Sequence, residues 1–415
     1  MRPQGGEVLV GGGGIGGLTL ALALHEAGIP CRVFEAVPEI KPIGVGINIL
    51  PHAMKELERL GLEPALAAHG IATREAAFYN RFGQHIYTEP LGRFAGYRWP
   101  QISIHRGDLQ QILFAAVCER IGTDRVQLGW KCTRVEQDAG GVRAYFAGAG
   151  GNELQMQRGA VAIACDGINS VVRKQFYPDE REPRYSGVTM WRGVTRMAPV
   201  LSGATFVRAG WMTPGKLVMY PIRDAIDADG RQLMNWLAEI ATPQRSPRDW
   251  TRTGYLEDFI APYADWHWDW LDVPALFREA ELILEYPMVD QDPLDRWTFG
   301  RITLLGDAAH PMVPRGSNGA GQAILDARAL ADELNANDDP ETALERYDRI
   351  RVPLTANVVL TNRINPPDAI LRLVYERTGD RPFAAIGDVA THAELTAITD
   401  RYKQVAGYDP KDLSV

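Results

Sequence analysis

The N-terminal segment carries a strand, a glycine cluster and a helix in immediate succession. The apolar run 7–10 predicts a buried strand, six of the seven residues in 11–17 are glycine, and the Ala/Leu-rich stretch 18–27 predicts a helix that ends at Gly28. Residues 31–35 then predict a second strand. A strand, a crossover helix and a strand form a βαβ unit, whose two strands must be parallel. The chain is therefore expected to have an α/β fold.

The glycines match the fingerprint of a dinucleotide-binding loop in the register Gly12-x-Gly14-x-x-Gly17. The first glycine allows the tight turn, the second lets the backbone approach a pyrophosphate, and the third lets the helix pack on the strand. Glu35 ends the second strand, where a carboxylate can accept hydrogen bonds from an adenosine ribose. A glycine run can also be a plain turn, but strand, helix and acid in register favour a dinucleotide. The expected loop contacts are Gly12, Gly14, Ile15, Gly16 and Gly17.

A second strand-to-loop corner lies far along the chain. Residues 302–305 predict a short buried strand that ends at Gly306 and Asp307, and a glycine-bearing loop then leads into a predicted helix over 320–335. The Asp307 carboxylate could cap the turn or accept hydrogen bonds from a polyol chain such as the ribityl of FAD. The amides that open the helix, at Gly319, could face an isoalloxazine ring. FAD therefore fits better than NAD, which has no polyol chain.

The middle of the chain predicts a second, sheet-based domain. Tryptophan and tyrosine recur there in strand-like runs separated by Gly, Pro and Asp, and no linker of low complexity separates these runs from the rest. We therefore expect two interleaved domains followed by helices. These are a Rossmann-like FAD-binding domain of residues 1–75, 102–182 and 286–340, a smaller β-sheet substrate domain of residues 76–101 and 183–285, and a C-terminal helical region of residues 341–415.

Composition and charge exclude several classes of function. The chain has 415 residues, which suits two domains, and a net charge of −8 with scattered basic residues, which predicts no nucleic-acid partner. Four cysteines without a CxxC pair predict neither a metal site nor a disulfide framework. We find no signal-peptide core and no apolar run of membrane length, and so expect a cytoplasmic protein without a membrane partner. The sequence leaves open a monomer or a homodimer.

Three ordered motifs resemble the single-component flavoprotein aromatic hydroxylases of the para-hydroxybenzoate hydroxylase family. They are the glycine fingerprint with Glu35, the Asp-Gly-Ile-Asn-Ser segment from Asp166 with Val172-Arg173, and Gly-Asp-Ala-Ala-His-Pro at 306–311. The similarity covers nearly the whole chain. Further segments look like the branch that contains phenazine hydroxylases, namely residues 44–49, 104–110, 190–193 and 286–290.

The resemblance implies an FAD-dependent monooxygenase that uses NAD(P)H and O2 to hydroxylate an aromatic or N-heteroaromatic small molecule, with or without loss of a carboxylate. In this family NAD(P)H reduces the flavin, and O2 then forms a flavin C4a-hydroperoxide whose distal oxygen passes to an electron-rich ring. NAD(P)H is expected to visit transiently, because the chain has no second dinucleotide fingerprint. Two alternatives stay open: a flavin oxidoreductase without oxygen insertion, and a flavin-bearing binding protein without turnover.

The resemblance also implies individual cofactor contacts. Arg106 and Gln110 would contact FAD, and Asp166 with Gly167 would support both FAD and the approach of NAD(P)H. Taken by themselves, Arg106 could be a surface residue at the start of a helix and Asp166 could belong to a simple turn. After Pro314 the chain departs from the commoner family pattern, because Arg-Gly-Ser-Asn-Gly replaces a Gly-Gln-Gly loop.

Four residues are expected beside the reacting groups. Pro311 would shape the wall of the reaction chamber through its rigid backbone, and Gly46 would lie beside the flavin ring, where glycine leaves room for the ring to move. Arg192 is available for a carboxylate or phenolate, and Tyr220 suits a planar substrate, although aromatic residues in such runs more often belong to a sheet core. His310 could act as a general base, but a structural role is the favoured interpretation.

Overall fold

The computed structural model describes residues 6–42, 44–212, 214–243 and 252–413. Parts of the expected domains, namely residues 1–5, 43, 213, 244–251 and 414–415, lie outside them. The strands in chain order are β1 Val8–Gly11, β2 Cys31–Glu35, β3 Gly46–Ile49, β4 Ile71–Ala72, β5 Glu75–Tyr79, β6 His85–Pro90, β7 Ile102–His105, β8 Val126–Leu128, β9 Lys131–Asp138, β10 Gly141–Ala147, β11 Gln157–Gly159, β12 Val161–Ala164, β13 Arg184–Met197, β14 Thr205–Gly210, β15 Lys216–Arg223, β16 Gln232–Ala241, β17 His267–Trp268, β18 Leu271–Asp272, β19 Ala280–Asp290, β20 Thr298–Phe299 and β21 Ile302–Leu304.

The helices are α1 Ile15–Glu26, α2 Pro51–Arg59, α3 Glu63–His69, α4 Arg106–Ile121, α5 Val171–Phe176, α6 Val273–Arg278, α7 Gly319–Ala336, α8 Pro340–Ile364, α9 Ala369–Thr378, α10 His392–Ala406 and α11 Pro410–Leu413. Pro366 and Pro367 lie between α8 and α9. Within the described ranges, no helix has both the length and the hydropathy to cross a bilayer.

A six-stranded sheet forms the first layer, in the order β20-β21-β12-β1-β2-β8. All of its neighbours pair in parallel except β20 with β21. Helices α1, α4 and α7 pack together, and α1 is buried on nearly all sides because it lies between other helices and the sheet. The expected Rossmann-like α/β fold is confirmed. Since the strands are parallel, the ends of β1, β12 and β21 lie at one edge, with Gly11 opposite Ala164 and Ala164 opposite Leu304.

A seven-stranded sheet forms the second layer, in the order β19-β13-β16-β15-β14-β5-β6. Its neighbours are antiparallel except β14 and β5. One face carries a core of aromatic residues that includes Trp191 and Trp236, and the other face carries Tyr220 and Tyr286. The expected boundary between residues 285 and 286 falls inside β19, which belongs to this sheet along its length. The domain limits otherwise stay a prediction.

A small sheet of β3, β7 and β4 joins the two layers. Strand β3 follows the first βαβ unit, pairs with β7 and contacts β15 of the seven-stranded sheet. Helix α4 begins at Arg106, directly after β7. This connection brings residues 44–48 and Arg106 to the boundary between the six-stranded sheet and the seven-stranded sheet.

Candidate active site

The glycine loop after β1 has the geometry that its fingerprint predicts. Gly12 has φ of 126°, and a Cβ on it would lie 2.2 Å from the Cys165 carbonyl oxygen, so only glycine fits. A Cβ on Gly17 would lie 2.0 Å from the Gly12 carbonyl oxygen, which explains the close approach of α1 to the strand end. A Cβ on Gly14 would have no neighbour within 4 Å. The loop is therefore tight against the protein at both ends and open in the middle, where α1 begins.

Glu35 and Gln110 hold this loop from two sides. The Gly13 amide donates to Glu35 Oε2 at 2.6 Å, and Gln110 Nε2 donates to the Gly13 carbonyl at 2.8 Å. The other carboxylate oxygen of Glu35 accepts from the Val37 amide at 2.9 Å. Both side chains thus fix the peptide of Gly13, and the expected contact of Glu35 with a ribose stays a prediction.

Asp166 lies at the end of β12, beside the glycine loop. Its Oδ2 accepts from the Val171 amide at 2.8 Å, whereas its Oδ1 is buried without a partner among the described residues. Burial raises the pKa of this carboxyl, because the charged form loses hydration. Gly167 has φ of 74° and open space where a Cβ would be. A polar ligand at this edge of the sheet could donate a hydrogen bond to the free Oδ1 of Asp166 and occupy the open space beside Gly167.

Asp307 follows β21 at the same edge. The residue is exposed to solvent, but the protein atoms around its carboxyl remove part of its hydration and so raise its pKa, against the opposing effects of His310 and Arg106. A Cβ on Gly319 would lie 3.9 Å from Asp307 Oδ1, so the carboxylate faces the start of α7. Gly306, before it, has φ of 65°. The structure therefore brings Asp307, Arg106 and Gly319 together.

His310 is buried and bound to a carboxylate beneath this corner. Its Nε2 lies 2.5 Å from Asp326 Oδ2, and Arg351 Nε donates to the other oxygen of Asp326 at 2.6 Å. Burial alone would raise the pKa of Asp326, but the charges of His310 and Arg351 and their hydrogen bonds lower it overall. The geometry supports the structural role of His310. Pro311 is buried beside it, and its carbonyl accepts from the Gln291 amide at 3.4 Å.

Gly46 is held by two side chains of the seven-stranded sheet. Its amide donates to Asn235 Oδ1 at 2.7 Å, and its carbonyl accepts from Arg192 Nη2 at 2.7 Å. A Cβ on Gly46 would lie 2.7 Å from atoms of Asn235 and Ile222. The sheet therefore fills the space at Gly46 itself, and the room expected for the flavin ring beside the segment 44–48 stays a prediction. By contrast, a Cβ on Gly44 would meet only Arg106, at 3.8 Å.

Tyr220 lies on the sheet face that points towards Gly46. Its ring stacks on Phe206 with centroids 4.8 Å apart, and it is 4% exposed. Burial raises the pKa of its hydroxyl, and the nearby guanidinium of Arg192 opposes this only in part, so the phenol is neutral and can donate. The buried Nε of Arg192 has no partner among the described residues, where the guanidinium contacts the Gly46 carbonyl and the Tyr286 ring and no carboxylate.

Asn48 and Asn235 also belong to this cluster, and Asn235 is the one that the sequence did not indicate. Both are buried, and the Nδ2 of each lacks a partner among the described residues. No motif or local pattern marks Asn235, whereas Asn48 belongs to the segment 44–49 that carries the resemblance. Trp191 and Trp236, in contrast, face the opposite side of the sheet, where Trp236 Nε1 donates to Thr195 Oγ1 at 3.0 Å. The side towards Gly46 is therefore polar at its centre and surrounded by mainly aliphatic side chains, with the rings of Phe206, Tyr220 and Tyr286 among them.

Known proteins match this chain over nearly all of its length. A relative from Lysobacter antibioticus, phenazine 1,6-dicarboxylic acid hydroxylase PhzS, is 42% identical over 405 residues, which cover 96% of this chain and 97% of the relative. The 3-amino-4-hydroxybenzoate 2-monooxygenase of Streptomyces cremeus is 34% identical over 360 residues, or 85% of this chain and 84% of the relative. The resemblance to flavoprotein aromatic hydroxylases is confirmed.

Solved structures show the same fold. A salicylate hydroxylase substrate complex superposes with a TM-score of 0.74 at 23% identity and covers 99% of this chain and 97% of the other. HpxO of Klebsiella pneumoniae, complexed with FAD and uric acid, gives a TM-score of 0.72 at 24% identity and covers 96% and 92%. A family model for the FAD binding domain matches residues 6–251 and 276–361. The chain therefore belongs to the FAD binding domain family of flavoproteins.

Proposed function

We propose that this flavoprotein is a monooxygenase that uses NAD(P)H and O2 to hydroxylate an aromatic or N-heteroaromatic small molecule. The observation that carries the proposal is the junction at Gly46. There the backbone beside the cofactor loops is bound by Arg192 and Asn235 of a sheet whose facing side is apolar, with three aromatic rings among aliphatic side chains. The two relatives described above support the proposal, because one is a hydroxylase of a phenazine dicarboxylic acid and the other is a monooxygenase of an aminohydroxybenzoate.

The loops at the edge of the parallel sheet fit FAD, and bound FAD would supply reduction by NAD(P)H and activation of O2. We assign the pyrophosphate to the amides around Gly14 at the start of α1, where nothing in the protein competes for the space. Glu35 would meet the ribose and Asp307 the ribityl chain. The amides that open α7, beginning at Gly319, would face the pyrimidine side of the ring and favour negative charge there.

The seven-stranded sheet supplies the substrate side of the site. Tyr220 and Tyr286, together with Val313 two residues after Pro311, belong to one buried cluster that would keep water away from the reacting groups. Arg192 would hold a carboxylate or phenolate of the substrate, because its buried Nε has no partner and its guanidinium pairs with no acid among the described residues. Tyr220, neutral at physiological pH, would donate a hydrogen bond to an oxygen or a ring nitrogen of the substrate.

The test is an assay of the FAD-loaded protein with phenazine mono- and dicarboxylates, hydroxybenzoates and aminohydroxybenzoates. We expect at least one compound to accelerate flavin reduction by NAD(P)H and to gain one oxygen atom from 18O2, with matching consumption of O2 and NAD(P)H. A product without label would identify a flavin oxidoreductase instead. Tight ligand binding without NAD(P)H oxidation would identify a binding protein, and either result would overturn the proposal.

A further inference from the structure

The C-terminal helix α10 reaches the loop that opens α7 through one buried hydroxyl. Tyr402 is 1% exposed, and its hydroxyl accepts from Asn318 Nδ2 at 2.9 Å and donates to Asn362 Oδ1 at 2.6 Å. Asn318 precedes α7, and Asn362 lies in the last turn of α8. One phenol therefore ties three separate segments together at the point where α7 begins.

The loop before α7 has a conformation that depends on this contact. Gly316 and Ser317 are both in the left-handed region, with φ of 79° and 58°, and for serine this costs about 1–2 kcal/mol. A Cβ on Gly316 would lie 1.9 Å from the Tyr402 hydroxyl oxygen, so the ring lies directly against the loop backbone. Asn318 Nδ2 also donates to the Gly316 carbonyl at 3.1 Å, which closes the turn.

A second tie runs from the first turn of α7 to the end of α10. Gln322 Nε2 donates to the Ala406 carbonyl at 3.2 Å, and Gln322 Oε1 accepts from Arg351 at 2.7 Å. The backbone amide of Gln322 donates to the backbone carbonyl of Asn318 at 2.8 Å. The contacts of Tyr402 and of Ala406 therefore act on the same turn of α7. The start of α7 is thus fixed from the C-terminal region as well as from the parallel sheet.

We propose that Tyr402 is a positioning residue for the flavin ring. Through Asn318 it sets where the first amides of α7 lie relative to the pyrimidine side of the ring. This inference rests on the proposed function only in assigning that ring to this corner. The amides favour negative charge on the reduced ring, because they carry the positive end of the helix dipole. The segment from Arg315 to Gly319 differs from the commoner family pattern, and in this chain Asn318 and Tyr402 define its shape.

The decisive variant is Tyr402→Phe, which keeps the ring against Gly316 and removes only the hydroxyl. We expect FAD to bind about tenfold more weakly, because the buried side-chain amide of Asn318 loses one of its two acceptors and the loop before α7 is held less firmly. We also expect a lower midpoint potential of the bound FAD and a several-fold larger share of NAD(P)H consumption ending as H2O2. Asn318→Ala should give the same changes, and the double variant should add little, since both remove one link.

A matched control is Tyr263→Phe, which removes another fully buried hydroxyl. Tyr263 donates to the Lys216 carbonyl at 2.9 Å on the far side of the seven-stranded sheet, away from α7. It should lower stability without changing the midpoint potential or the H2O2 share. If Tyr402→Phe and Asn318→Ala change stability alone, as the control does, the proposal is wrong. A shifted potential in a protein that hydroxylates nothing would keep this inference and reject the proposed function.

Discussion

Arg192 and Asn235 bind the backbone of Gly46 from the substrate side, one at its carbonyl and the other at its amide, each at 2.7 Å. Arg192 thereby donates from Nη2 to the Gly46 carbonyl, which fixes the side chain, and its Nε stays available for another acceptor. A guanidinium that is held at one end by the protein loses less conformational freedom when it binds a carboxylate at the other. Because one of its nitrogens is bound to the protein and another is free, Arg192 is the first candidate for recognition of the substrate.

We expect Arg192→Gln to weaken binding of a carboxylated aromatic substrate by about 10- to 100-fold, the range for a hydrogen bond to a charged group. A neutral phenol of the same shape should lose far less. The measurement is the dissociation constant from the change in flavin absorbance on substrate binding. Arg196→Gln is the control, because Arg196 lies on the same strand and pairs with Glu281 at the surface. Equal losses for acid and phenol would show that Arg192 only supports Gly46.

A second residue-scale prediction concerns Asp326, which pairs with His310 and Arg351 in the core. Its folded pKa is lowered, so its contribution to stability is present above the unfolded value of about 3.9 and is lost as pH falls through the folded pKa. Asp326→Asn leaves Arg351 buried without its carboxylate, and we expect a loss of about 3–5 kcal/mol. Denaturant unfolding between pH 3 and 7 tests this, since the variant should lose part of the acid dependence of the wild type.

At the element scale, local patterns predicted the helices and strands that carry the cofactor loops, and long-range contacts decided the rest. The βαβ unit and the strand ending at Asp307 could be predicted because glycine, periodicity and strand ends are short-range signals. Asn235 reaches Gly46 across 189 positions and Tyr402 reaches Asn318 across 84. No local signal connects such residues. For the same reason the sequence does not show that β3 packs on the sheet so closely that a Cβ on Gly46 would lie 2.7 Å from Asn235 and Ile222.

Two glycines at the starts of elements should respond to alanine in opposite ways. Gly14→Ala adds a methyl group that meets no protein atom, so the stability of the FAD-free protein should be unchanged and FAD affinity should fall. Gly46→Ala forces β3 away from Asn235 and Ile222 and should cost about 1–3 kcal/mol even without FAD. Thermal unfolding with and without FAD measures both. If Gly14→Ala destabilised the FAD-free protein as much as Gly46→Ala, the loop would not be open to a ligand.

On the scale of the whole molecule, a buried group of four charges fastens the C-terminal helices to the seven-stranded sheet. Lys216 is 1% exposed; it pairs with Glu239 at 2.9 Å and also contacts Asp368, which precedes α9. Arg208 pairs with the other oxygen of Asp368 at 3.0 Å and lies over Phe206, which stacks on Tyr220. The contacts that hold the helices on the sheet therefore continue through Arg208 and Phe206 to Tyr220, on the substrate side of the site.

Replacing Asp368 should separate this buried group from an ordinary surface ion pair. Asp368→Asn leaves Lys216 and Arg208 with Glu239 as their remaining acid, and we expect a loss of about 3–5 kcal/mol, because a buried charge without its partner is costly. The control Asp380→Asn removes a pair with Arg81 that is about 30% exposed, and it should cost at most about 1 kcal/mol. Hydrogen exchange across α9 and α10 should rise in the first variant and stay unchanged in the second. If exchange rose equally in both, the helices would be docked mainly by their apolar contacts with β5 and β6, and the link from Asp368 through Arg208 to Tyr220 would carry no positional information.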